Sequence, residues 1–156
     1  GGGNFTCLKD GSKCYVGLRK ANAVGVIDMA KLELMKTIET GPDANRLYLN
    51  PGNSRYGLFA NEAGKSDIVS IIDTQLDVKV KDIWTGLGPH NVAFDPDGKF
   101  AVISTKKENV ATLVDTGSAD PNDWDVITTD LDSGIQNNGV RWVPSPAALK
   151  KALAQN

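Results

Sequence analysis

Residues 90–104 read HNVAFDPDGKFAVIS: apolar residues alternate up to Phe94, an Asp-Pro-Asp-Gly turn follows, and alternation resumes at Phe100. That is the signature of a β-hairpin, because alternate residues of a strand point to opposite faces and the glycine supplies the positive φ that a tight turn needs. The same plan occurs twice upstream, as NFTCLKDGSKCYVGL at 4–18 and NRLYLNPGNSRYGLFA at 45–60. Asp10 and Asp97 precede the turn glycines Gly11 and Gly98 and are read as turn supports, not catalytic carboxylates.

Each hairpin is followed by a third strand that ends in aspartate: VGVIDM at Asp28, VSIIDT at Asp73 and ATLVDT at Asp115. A fourth strand then runs to a glycine at Gly41, Gly86 and Gly134. The anchors lie 45 and 42 residues apart for the aspartates, 45 and 48 for the glycines. Four short strands per unit at that period predict an all-β fold, a β-propeller. One four-stranded sheet cannot bury both its faces, so successive blades stack; Ile27, Ile72, Val92, Phe94 and Leu113 are the expected packing residues.

The predicted blades occupy roughly 4–41, 42–86 and 87–134. A segment at 138–144, ending NGVRWVP, matches the first strand of a fourth blade, so 1–144 reads as a partial propeller. Residues 145–156, SPAALKKALAQN, read as a short C-terminal helix capped by Ser145 with Pro146 at its first position. Propellers close with about four to eight blades. The expectation is therefore part of a larger ring of about seven, completed by a protein partner, by self-association or by the rest of a longer chain.

Composition sets limits on function. Hydrophobic residues make up 40% of the 156 and charged residues 23%, with a formal net charge of −2. This is the balance of a folded globular chain. The Lys and Arg residues form no basic stripe, so nucleic acid is not an expected partner. No apolar run reaches the roughly 20 residues that span a bilayer. No GxSxG, HExxH, P-loop or dinucleotide fingerprint occurs.

The stretch GPHNVAFDPDGKFAVISTKKENVATLVDT (88–116) resembles the YVTN-type β-propeller repeat, and the similarity extends in weaker form from about Asn4 to Pro144. Cys14-Tyr15-Val16-Gly17 carries the tyrosine-valine signature; the other repeats have YGLFAN and FAVIST there. Relatives built from this repeat include surface-layer-like proteins, lactonase-type enzymes, haem d1 domains of nitrite reductases, and propellers of nitrous-oxide reductase and of amine dehydrogenases. The resemblance implies an exported, periplasmic or extracellular setting and a propeller fold; a propeller hosts many functions.

In such a ring the loops between fourth and first strands meet the loops between second and third strands on one rim. The repeats align Asn45, His90 and Asn138 at one position, with Arg46, Asn91 and Arg141 beside them. The second loop set adds Arg19, Lys20 and Asn22, then Asn61 and Glu62, then Lys106 and Lys107. The candidate ligand or partner rim is accordingly Asn45, Arg46, Glu62, His90, Asn91, Asn138 and Arg141. His90 is the one histidine; related propellers can bind copper or haem through a histidine here, but one imidazole is not a metal site. No metal, no cofactor and no catalytic residue are expected in this chain alone. The expected function is a binding or scaffold propeller, an accessory or interaction subunit of a redox complex or surface layer. The alternative is a fragment of a propeller enzyme of lactonase type or of haem- or copper-dependent oxidoreductase type.

Cys7 and Cys14 flank the first turn. A two-residue turn would set them directly opposite, within reach of a disulfide; a three-residue turn with a bulge would offset them to a diagonal.

Overall fold

The structure, a computed structural model, describes residues 2–132. The segments 138–144 and 145–156, with Asn138 and Arg141, lie outside the described residues.

Among the described residues, twelve strands form three antiparallel sheets of four, each in simple sequence order. Blade one contains β1 (Phe5–Cys7), β2 (Lys13–Leu18), β3 (Ala23–Asp28) and β4 (Glu33–Glu39). Blade two contains β5 (Ala44–Leu49), β6 (Tyr56–Asn61), β7 (Ile68–Asp73) and β8 (Val78–Trp84). Blade three contains β9 (Pro89–Phe94), β10 (Phe100–Thr105), β11 (Val110–Asp115) and β12 (Asp125–Asp132). These are propeller blades. Their first strands meet from blade to blade, β1 against β5 and β5 against β9, which puts the axial side of the stack at β1, β5 and β9.

The turn chemistry follows the sequence with one correction. Gly11 and Gly98 take φ of 71° and 69°. Asp10 Oδ1 accepts from the Ser12 amide at 2.9 Å, whereas in the third hairpin the turn is held by Asp95, whose Oδ1 accepts from the amides of Lys99 and Phe100 at 2.6 and 2.9 Å. Asp97 was the expected support there; the carboxylate two residues earlier faces back across the loop and reaches both amides. The aspartates closing the third strands each bind the following turn, Asp28 through Ala30 N, Asp73 through Gln75 N and Asp115 through Gly117 N.

Asp73 also holds Arg55, Nη2 to Oδ2 at 2.6 Å. Burial alone would raise the Asp73 pKa, but the Arg55 bond and the amides of Leu76 and Gln75 outweigh it and hold the carboxyl below its ordinary value. A carboxylate with a depressed folded pKa adds stability that is complete above its unfolded value near 4 and is lost as pH falls through the folded one. Asp73→Asn should therefore flatten the acid limb of stability below about pH 4, measured by denaturant titration across pH. An unchanged limb would remove Asp73 from the acid response.

Two apolar layers fill the spaces between blades. Tyr15, Val24, Val26, Leu47, Phe59 and Ile72 pack between blades one and two. Leu58, Ile71, Val92, Ile103, Val114 and Trp124 pack between blades two and three. Phe94 is half-buried against the second layer. Two expected packing residues face away from these two layers, Leu113 buried there and Ile27 half-buried. The repeat position of Ile72 is that of Ile27 and Val114, so Ile27 lies on the outer face of blade one; Leu113, one residue off that register, points to the far face of blade three. A shift of one residue along a strand changes faces.

Cys7 and Cys14 are a directly opposed pair and are joined by a disulfide. The register is the one a two-residue turn would give, produced by a longer loop, since the next pairing bond runs from Leu8 N to Lys13 O.

Candidate functional site

The loops that enter blades two and three and the loops between second and third strands converge on one rim. Counting on six residues from the paired positions Lys13–Asp28, Tyr56–Asp73 and Phe100–Asp115 shows that Arg19, Glu62 and Lys106 occupy the same repeat position in successive blades. Their charges alternate. Glu62 lies at the centre with its side chain only 6% exposed. Its Oε2 is 3.4 Å from Arg19 Nη1, while its Oε1 contacts Lys106 Nζ and lies 3.2 Å from His90 Nε2. One buried carboxylate thus ties together loops of three blades.

Arg19 is held from a second side by Asp43, Nε to Oδ1 and Nη2 to Oδ2 both at 2.6 Å, a bidentate pair. Asp43 has φ of 60°, and the equivalent residue of the next loop is Gly88 at 68°. A left-handed backbone at a non-glycine residue is costly and needs support. The Asp43 amide donates to Asn22 Oδ1 at 3.1 Å, and the Asp43 carbonyl accepts from Glu62 N at 3.1 Å. The Gly88 carbonyl accepts from Lys106 N in the same way, at 2.9 Å.

His90 is fastened at both ring nitrogens. Asn91 Nδ2 lies 3.0 Å from Nδ1, and Asn91 Oδ1 accepts from the Tyr48 hydroxyl at 2.6 Å. With Nδ1 accepting, the ring proton sits on Nε2 and faces Glu62. Burial raises the Tyr48 pKa, so the phenol stays protonated as the donor. The sequence places His90 in the candidate rim; the structure makes it an inter-blade strut. His90→Ala is expected to cost about 1.5 kcal/mol, the low end for a lost hydrogen bond to a charged group, read from the shift in denaturation midpoint. No shift would mean the contact adds nothing.

The other crown residues separate. Asn45 is buried, not displayed: it accepts from Asn4 Nδ2 at 3.0 Å, and its carbonyl lies so close to Gly17 that a Cβ there would meet it at 2.4 Å. It spaces two blades. Arg46 is exposed, its guanidinium 5.3 Å above the Tyr48 ring, beside a hollow along the inner strands lined by Thr6, Val92 and Phe94. Asn91 spends its amide on His90 and Tyr48. Asp43 and Tyr48 belong to the site and escape the sequence reading. An aspartate where the next repeat carries a loop glycine was the available signal for Asp43; Tyr48 has none, since it reads as an ordinary strand aromatic.

Among the described residues no group of three His, Cys, Asp or Glu side chains could hold a metal ion, and no helix is long and apolar enough to cross a membrane. A further groove on this rim, lined by Asp67, Thr85, Glu108 and Asp130, is acidic.

No protein-family model matches the chain, and no curated protein matches it. Solved structures do. A chain of hydrazine synthase from Kuenenia stuttgartiensis superposes with a TM-score of 0.64 at 25% identity, over 78% of this chain and 36% of that one. A candidate 6-phosphogluconolactonase from Bacteroides fragilis gives 0.66 at 20% identity, over 83% and 39%. The dihydro-haem d1 dehydrogenase NirN, solved with its ligand, gives 0.69 at 16% identity, over 85% and 28%. The chain thus spans well under half the length of each of these proteins, and the likeness shows the β-propeller fold that the strand pattern predicts.

Proposed function

We propose that this chain is a binding and scaffold segment of an extracytoplasmic β-propeller whose ring is completed by further blades. The observation that carries this reading is the outer face of blade one. Phe5, Val16 and Ile27 stand at the repeat positions that are buried in blades two and three as Leu47, Phe59 and Ile72, then Val92, Ile103 and Val114. Phe5 is nonetheless 69% exposed and Leu34 58% exposed. An apolar face of this kind fits the neighbouring blade of a ring. The Cys7–Cys14 disulfide agrees with an oxidising, periplasmic or extracellular setting.

The rim supports binding more than catalysis. Glu62, Arg19, Lys106 and His90 are occupied with one another, which makes a rigid charged surface from loops of three blades. Arg46, on the axial side, keeps its guanidinium edge for a ligand. Light scattering on the 156-residue chain tests completion: association at micromolar concentration, with binding of an apolar dye, is expected. A monomer that unfolds cooperatively and binds no dye would overturn it.

The second reading, part of a propeller enzyme of lactonase, haem or copper type, draws on the lactonase-like and haem d1 structures among the similar folds. A visible absorption band in the native protein would favour it over the first.

A further inference from the structure

We propose that the hollow beside Arg46, on the axial side of the blades, binds a small monocarboxylate with an apolar body, its carboxylate paired with the Arg46 guanidinium. This deepens the binding reading and rests on it. The protein already contains the same arrangement once, completed by its own side chains. Arg55 lies over the Tyr56 ring, 5.0 Å from the centroid, and its Nε and Nη2 donate to Asp73 Oδ2 at 2.9 and 2.6 Å. Arg46 lies over the Tyr48 ring, 5.3 Å from the centroid. That ring is pinned, because the Tyr48 hydroxyl donates to Asn91 Oδ1 at 2.6 Å. What Arg46 lacks is the carboxylate. Arg19 is paired with Asp43 and Glu62, and Arg55 with Asp73, whereas among the described residues no acidic side chain forms an ion pair with Arg46. A guanidinium stacked on an aromatic ring still directs its N–H groups outward in its own plane, where a carboxylate can take two of them at once.

The walls of the hollow specify the rest of the ligand. Arg46 and Tyr48 are two residues apart on β5 and share a face. The hollow they border measures about 320 Å³, and its other walls are Thr6, Leu47, Leu49, Pro51, Val92 and Phe94. That volume lies at the lower end for ligand clefts. The Thr6 hydroxyl is spent on the Leu47 carbonyl at 2.8 Å, and no carboxylate lines the walls. One cation beside apolar walls suits a molecule with one negative end and little else that is polar. A second charge or a row of hydroxyls would lose its water here and find no partner.

Isothermal titration calorimetry of the 156-residue chain at low salt tests this with three probes: 3-phenylpropionate, its neutral amide 3-phenylpropionamide, and acetate. The first should bind about tenfold or more tightly than either of the others, since the amide lacks the charge and acetate lacks the body. Exposed apolar faces elsewhere on the chain would bind the amide equally well. Arg46→Gln should abolish the preference for 3-phenylpropionate over its amide, with the circular dichroism spectrum unchanged. Arg46→Lys should restore only part of it, because an ammonium offers no planar fork. Acetate or the amide binding as tightly as 3-phenylpropionate, an affinity unmoved by Arg46→Gln, or full affinity in Arg46→Lys overturns the proposal. So does a chain that binds none of the three probes. In each of these cases ring completion and the scaffold role still stand or fall by the light-scattering result, which does not involve Arg46.

Discussion

Phe59→Ala should lower the stability of the protein by about 3–5 kcal/mol, the cost of truncating a fully buried aromatic in a packed core. Phe59 has no exposed surface and lies between blades one and two among Leu47, Tyr15 and Val24. The matched comparison is Phe5→Ala on the outer face of blade one. Phe5 occupies the repeat position of Leu47, directly beside that of Phe59, but is exposed. Its truncation should stay within about 0.5 kcal/mol in the chain alone. In the completed ring it should cost several-fold more, since Phe5 would then sit where Leu47 sits now. Urea denaturation of both variants measures the contrast. Equal losses in the chain alone would mean that blade one already has a covered outer face, against the placement of Phe5.

The difference between these two phenylalanines also explains what could be read from the sequence. Strand alternation and the aspartate and glycine anchors are local and repeat at one period, so they reveal twelve strands in three sheets. Which face of a strand meets which neighbour is harder. Ile27, Ile72 and Leu113 look alike in their strands, yet a one-residue difference in alignment places Leu113 on the far face. The rim was visible as a set of loops because the repeat alignment brings Arg46, Glu62, His90 and Asn91 to one end. What was hidden is how the charges are used. Asn45 and His90 share a repeat position, but the first is buried against Gly17 and the second reaches a carboxylate in blade two. Such contacts cross more than 25 residues of chain and carry no local pattern. Asp43 shows the exception, because an aspartate in a loop that elsewhere needs glycine signals that its side chain stabilises the strained backbone.

Glu62 concentrates that cross-blade dependence, so its removal is the second large effect. Breaking a buried ion pair by deleting one partner typically costs about 3–5 kcal/mol, mainly because the other charge is left unpaired. Here Arg19 keeps Asp43, and Lys106 is about one-third exposed and can be rehydrated, which reduces the loss. Glu62→Ala is therefore expected to cost about 2–3 kcal/mol, below the buried-pair range and above that of a surface pair. Glu62→Gln should recover part of this, since an amide oxygen can still accept from His90 and Lys106 without the charge. Glu62→Lys should be the most damaging of the three, placing a third cation between Arg19 and Lys106. High salt should reduce the gap between Lys and Gln variants while leaving Ala almost unchanged, because only the first difference is a repulsion between partly exposed charges. Chemical denaturation at two salt concentrations distinguishes the cases. If all three variants unfold with the natural chain, the alternating charges of the rim do not bind blade to blade, and their placement must serve a ligand instead.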